Sequence, residues 1–87
     1  MYKVNILKKA YKSIDKMPLK IQKSLKNLLD DLRENGPIRK DWPNFSKLGE
    51  TTYHCHIAHK WVACWQCEKD SITIEVYYAG SRENAPY

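Results

Sequence analysis

The spacing of apolar residues changes once along this chain, from a helical period to a period of two, and that change restricts the fold more than any other feature. From Leu7 the apolar positions are Leu7, Ala10, Tyr11, Ile14 and Met17, which share one face of an amphipathic helix. Ile21, Leu25, Leu28, Leu29 and Leu32 form a second such stripe. Pro18 disfavours helical geometry at Met17 and so separates the two helices. Gly36-Pro37 stops the second one. Two amphipathic helices joined by so tight a break form an antiparallel hairpin. Beyond residue 50 the segments Thr51 to Ala58, Lys60 to Glu68 and Ser71 to Ala79 alternate and are rich in Thr, Tyr, Val, Ile and Trp, as strands are. The links near His59 and at Lys69-Asp70 are short enough to join only antiparallel neighbours.

Tyr2 to Leu7 reads as a short first strand, and Pro37 to Glu50, with Pro37, Pro43, Asn44, Ser46 and Gly49, reads as a loop. The whole is an α+β fold over residues 1–87, with 87 residues allowing one domain and one core. An N-terminal strand and an antiparallel helix hairpin pack on a small antiparallel sheet. Alternation assigns the faces. Tyr53, Cys55 and Ile57 share one side of their strand, as do Trp61, Ala63, Trp65 and Cys67, and Ile72, Ile74, Val76 and Tyr78. These sides are expected against the helices. The other face, with His54 and His56, is expected to be open.

Charge narrows the function. The formal net charge is +5, and in the first 27 residues Lys3, Lys8, Lys9, Lys12, Lys16, Lys20, Lys23 and Lys26 are opposed only by Asp15. Such a bias favours a polyanionic partner, either nucleic acid or an acidic protein. No stretch approaches the ~20 apolar residues of a membrane span, which argues against a membrane partner. The first residues, Met1 to Leu7, lack the apolar core of a signal peptide. Three cysteines cannot all pair within one chain, so a cytoplasmic protein with reduced thiols is the economical expectation.

Histidine and cysteine near one another raise the question of a metal. Cys64 and Cys67 are three apart on a strand, so their side chains leave opposite faces and cannot share an ion. No metal and no small-molecule cofactor is expected. His54 and His56 lie on one face about 7 Å apart, and imidazole suits both proton transfer near neutrality and phosphate binding. Arg82, just past the last strand, can grip a phosphate with its planar guanidinium. Tyr87 offers a ring for stacking and a hydroxyl for hydrogen bonding or proton donation.

Here the chain resembles a known family. A short strand, a basic helix pair, the turn Lys47-Leu48-Gly49, then Tyr53-His54-Cys55-His56-Ile57 and a closing Val76-Tyr77-Tyr78-Ala79-Gly80-Ser81-Arg82-Glu83 look like the RelE toxins of the RelE/ParE superfamily. The resemblance implies a toxin of a type II toxin–antitoxin system, a ribosome-dependent endoribonuclease that cuts translated mRNA and is neutralised by a cognate antitoxin. The implied reaction is metal-independent attack of a ribose 2′-hydroxyl on the adjacent phosphate. Two basic residues of the family's second strand map to His54 and His56, its late arginine to Arg82, and its C-terminal tyrosine to Tyr87. These four are the expected catalytic set, with His54 or His56 as the base. Arg39, Lys40, Lys47 and Lys60 are the expected RNA contacts. The family's middle-strand arginine maps to Val62, a departure. The ParE branch, which inhibits DNA gyrase, and a non-catalytic RNA- or partner-binding module are the alternatives on the same fold.

Overall fold

Pro18 acts as the corner of the helix hairpin. With φ −55° and ψ 147° it turns the chain out of α1 (Lys8–Asp15) and opens α2 (Leu19–Asn35). Its carbonyl accepts from the amides of Ile21 and Gln22, so the first turn of α2 starts satisfied. The Gln22 side chain reaches back and donates to the carbonyls of Ile14, which already accepts from the Met17 amide, and of Met17. At the far end of α2, Gly36 takes φ 92° and donates to Leu32.

The computed structural model describes all 87 residues. The helices are preceded by β1 (Lys3–Ile6) and followed by β2 (Ser46–Lys47), β3 (Thr52–Ala58), β4 (Trp61–Gln66) and β5 (Thr73–Ser81). They build one sheet in the order β1-β5-β4-β3-β2. The three long strands fall where alternation predicts them, and their neighbours are antiparallel. At the edge the fold differs from a purely antiparallel sheet: β1 runs parallel to β5, with Val4 opposite Ile74. Alternation carries no direction, and no tight turn links these two strands. The helix hairpin returns the chain, and either direction was open to β1. The expected loop at Pro37 to Glu50 also contains the two-residue β2, whose Ser46 stands opposite His54 and Lys47 opposite Tyr53. Two residues are too few for alternation to reveal.

The core lies between the sheet and α2. Leu25, Leu28 and Leu32 meet Tyr53, Cys55, Ile57, Ala63, Trp65, Ile74, Val76 and Ala79, all buried. Trp65 is fully enclosed, and its indole N–H donates to the Pro37 carbonyl at 3.0 Å, so the ring is buried without stranding its one polar atom. Val76 and Ala79 both face this core although they are three apart. The register slips between Cys64 and Trp65, which stand opposite Tyr78 and Val76, and the extra residue, Tyr77, turns to the other face.

An ideal Cβ at Gly36 would stand 2.9 Å from the Tyr2 ring, and its φ is one that L side chains rarely adopt. Gly36→Ala is therefore expected to destabilise the fold by more than about 1 kcal/mol, read from the midpoint of urea unfolding. An unchanged midpoint contradicts this account of the helix end.

Candidate active site

β3 sets His54 and His56 two residues apart, hence on one face, with ring centroids 6.1 Å apart. Their partners across the sheet are Ser46 and Cys64 for His54, and Val62 for His56. After β5 the backbone turns at Arg82, whose amide donates to the Lys60 carbonyl at 2.8 Å, and the Ala85 amide then bonds back to Arg82. This path folds the C-terminal residues across the sheet. The Tyr87 ring comes to rest with its centroid 4.5 Å from that of His54, tilted by 55°. The sheet face is therefore not open, as alternation alone suggests. Val62 and Cys64 lie outside the apolar core yet are fully buried, and His54 is only 8% exposed. Tyr87 itself keeps 55% exposure. The residues after Arg82 have no periodicity, so their return over the sheet left no mark in the hydrophobic pattern.

This covering sets the electrostatics. Burial pushes the His54 imidazole below its ordinary pKa, and the neighbouring His56 adds to the effect, while a hydrogen bond with Ser46 opposes it. Ser46 Oγ stands 2.8 Å from His54 Nδ1. His56 is partly exposed, with its Nε2 3.4 Å from the Asn44 amide nitrogen. Burial and the nearby Cys64 hold the Tyr87 phenol above its usual pKa against the opposing charge of Arg82. The phenol thus stays protonated at neutral pH, beside the guanidinium. His54, His56 and Tyr87 lie together, and Arg82 is near enough for its charge to act on the Tyr87 phenol. Ser46 and Asn44, which tether the two imidazoles, were invisible in the sequence because one lies in a two-residue strand and the other in a loop.

The thiols take no such part. Burial raises Cys55 and Cys64 to about 12 and pushes Cys67 up as well. They remain thiols rather than thiolate nucleophiles at neutral pH. Cys67 belongs to the apolar core and Cys64 does not, so the two leave opposite faces as their spacing requires.

Of the remaining cations, Lys60 is exposed in the β3–β4 turn and lines a cavity of about 280 Å³ together with Arg82. Lys40 is exposed on the loop after α2. Lys47 is exposed but stands opposite core-facing Tyr53, off the face that carries His54. Arg39 departs from the sequence expectation. Its guanidinium lies 3.2 Å from Asp31 and 3.5 Å from Asp41 and donates to the carbonyls of Gly36 and Asn35, with the side chain 15% exposed. Asp31 also accepts from the Trp42 indole at 2.8 Å. Burial works against the Asp31 charge, but bonds from Trp42, Asn35 and Arg39 outweigh it and lower its pKa. Arg39 ties the loop to α2, and it has no free donor fork to offer an RNA strand.

No family model and no curated protein sequence matches the chain. Solved structures do. A chain of the archaeal RelE–RelB complex from Pyrococcus horikoshii superposes with a TM-score of 0.75 at 15% identity, over 97% of this chain and 98% of that one. The isolated E. coli RelE toxin gives 0.75 at 16% identity, over 99% and 89%. A chain of the YoeB–YefM complex from Staphylococcus aureus gives 0.70 at 15% identity, over 94% and 98%. The chain has the RelE toxin fold from end to end.

A buried imidazole with a lowered pKa makes stability depend on pH in a defined direction. The unfolded chain binds a proton at His54 near pH 6.5, before the folded one does, so stability falls as pH drops below that value. Urea unfolding between pH 7 and 5 is expected to show a steeper loss for the wild type than for His54→Gln. Parallel losses contradict the burial of His54.

Proposed function

We propose that the chain is the toxin of a type II toxin–antitoxin pair and cleaves translated mRNA on the ribosome, arresting translation in the cytoplasm. The observation that carries this reading is the tilted contact of the Tyr87 ring with the His54 imidazole, 4.5 Å between centroids, with His56 on the same face and the Arg82 charge felt by the phenol: two imidazoles, a guanidinium and a phenol on one side of the sheet. RNA cleavage by proton transfer needs that set. The ribose 2′-oxygen attacks the adjacent phosphorus and loses its proton to a base. The bond from phosphorus to the 5′-oxygen breaks, and that oxygen takes up a proton as a 2′,3′-cyclic phosphate is left.

His54 is the better base of the two imidazoles. It is held neutral by burial, and with Nδ1 engaged by Ser46 its Nε2 is the nitrogen left to take a proton. His56 and Arg82 bind the phosphate and oppose the charge that builds on it. Tyr87 holds the imidazole in place, offers its ring to a base and gives a proton to the leaving oxygen. Val62, fully buried opposite His56, leaves no cation on the middle strand, so Arg82 and His56 meet the phosphate, with Lys60 at the periphery.

The partner that neutralises the toxin is an antitoxin. The Pyrococcus and Staphylococcus neighbours are complexes, of RelE with RelB and of YoeB with YefM. An acidic antitoxin segment complements the lysines of α1 and α2 in this chain.

His54→Ala, Arg82→Ala and deletion of Tyr87 are each expected to relieve the growth arrest caused by expressing the protein alone, with in vitro cleavage lowered by about 10²- to 10⁴-fold for His54→Ala. Primer extension on mRNA after induction reads the reaction directly: codon-phased cuts support the nuclease. A DNA-damage response without cuts points to gyrase, and undiminished toxicity of all three variants overturns the site.

A further inference from the structure

Two cavities at the end of the sheet share a wall. One, of about 240 Å³, is lined by Ser13 of α1 and Lys16 just after it, by Trp61, and by Gly80 and Asn84. The other, of about 280 Å³, is lined by Trp61, Lys60, Arg82 and Glu83. Trp61 and Ser81 line both. The pair forms a path from Arg82, beside Tyr87, around the strand ends to the last turn of α1. Trp61 is half-buried: part of the indole packs against the core and part faces the cavities. Gly80 keeps the first cavity shallow-walled, since a Cβ there would meet Tyr78 Oη at 2.9 Å and Ser13 at 3.2 Å.

The chemistry along this path is that of a single-stranded nucleic acid. An aromatic ring lies between exposed cations, Lys16 on one side and Lys60 with Arg82 on the other, and none of the three is in a salt bridge. Against these three cations stands one acid, Glu83, so the lining keeps a net positive charge. Ser13 and Asn84 add neutral hydrogen-bonding groups. Such a combination of ring and flanking cations suits one base and its neighbouring phosphates.

We propose that Trp61 is the stacking platform of a second nucleotide subsite, which takes a nucleotide flanking the scissile phosphate of a single-stranded RNA and seats its phosphates on Lys60 and Lys16. The proposal rests on the nuclease reading and deepens it: Tyr87 and Trp61 grip the strand on either side of Arg82, and Trp61 acts on binding and not on the proton transfers.

The test uses the full chain carrying His54→Ala, so that RNA is bound and not consumed, with a fluorescein-labelled octauridylate as probe and anisotropy as readout. Trp61→Ala is expected to weaken binding by about tenfold, the scale of one base stacked on an aromatic ring, and Trp61→Phe to restore most of it. Lys16→Ala is expected to reduce the slope of log K against log salt by about 0.7, the share of one phosphate contact on a single strand. Lys69→Ala, in the β4–β5 turn, should leave that slope in place. The indole N–H signal of Trp61 in a heteronuclear NMR spectrum should shift with the oligonucleotide. Binding that is indifferent to Trp61→Ala and Lys16→Ala, or no binding at all, overturns the subsite. Cleavage lost from the parent protein with Trp61-dependent binding intact overturns the catalytic reading alone.

Discussion

The contact on which the site depends is the Tyr87 ring against the His54 imidazole, 4.5 Å between centroids. Without it His54 would be one of several polar groups on a wetted sheet, with its proton affinity set by water. With it, the face is dry enough to disfavour the imidazolium, and the phenol sits within reach of the Arg82 charge. The contact is made possible by backbone geometry: Arg82 is fixed to the β3–β4 turn through Lys60, and the turn closed by Ala85 on Arg82 sends the chain back toward β3.

Two faces of one sheet are thereby used for different ends. The helix side buries Trp65, Leu28, Leu32 and Ile74 and supplies the stability a chain of this size can muster. On the other side lie Tyr77 beside Cys64 and the half-exposed Tyr87 against His54. The loop that edges this side is held by Asp31, which takes both the Arg39 guanidinium and the Trp42 indole. That loop carries Asn44 and Ser46, the residues that tether the two imidazoles. The half-buried charges of Asp31 and Arg39 thus serve the site at a distance, by placing the loop.

Much of this was legible in the amino-acid sequence. The two helical stripes, the break at Pro18 and the three alternating strands follow from periodicity and local chemistry, and they appear where they were expected. Sharing a face is also a matter of period, so His54 and His56 could be paired from spacing alone. Features that depend on tertiary neighbours could not. The parallel direction of β1 has no local signal, β2 is two residues long, and the slip at Tyr77 breaks the alternation it would be read from. Arg39 looked like a free cation because its closest acid, Asp31, lies eight residues away, a distance that only the folded loop closes. The covering of the sheet by Tyr87 is of the same kind.

Imidazole titration by NMR tests the central claim most directly. The His54 ring signals in the wild-type protein should report a pKa below the ordinary value for histidine, and replacing Tyr87 with alanine should let it climb back toward about 6.5. A His54 that titrates normally in the wild type, or one indifferent to the loss of Tyr87, contradicts the account.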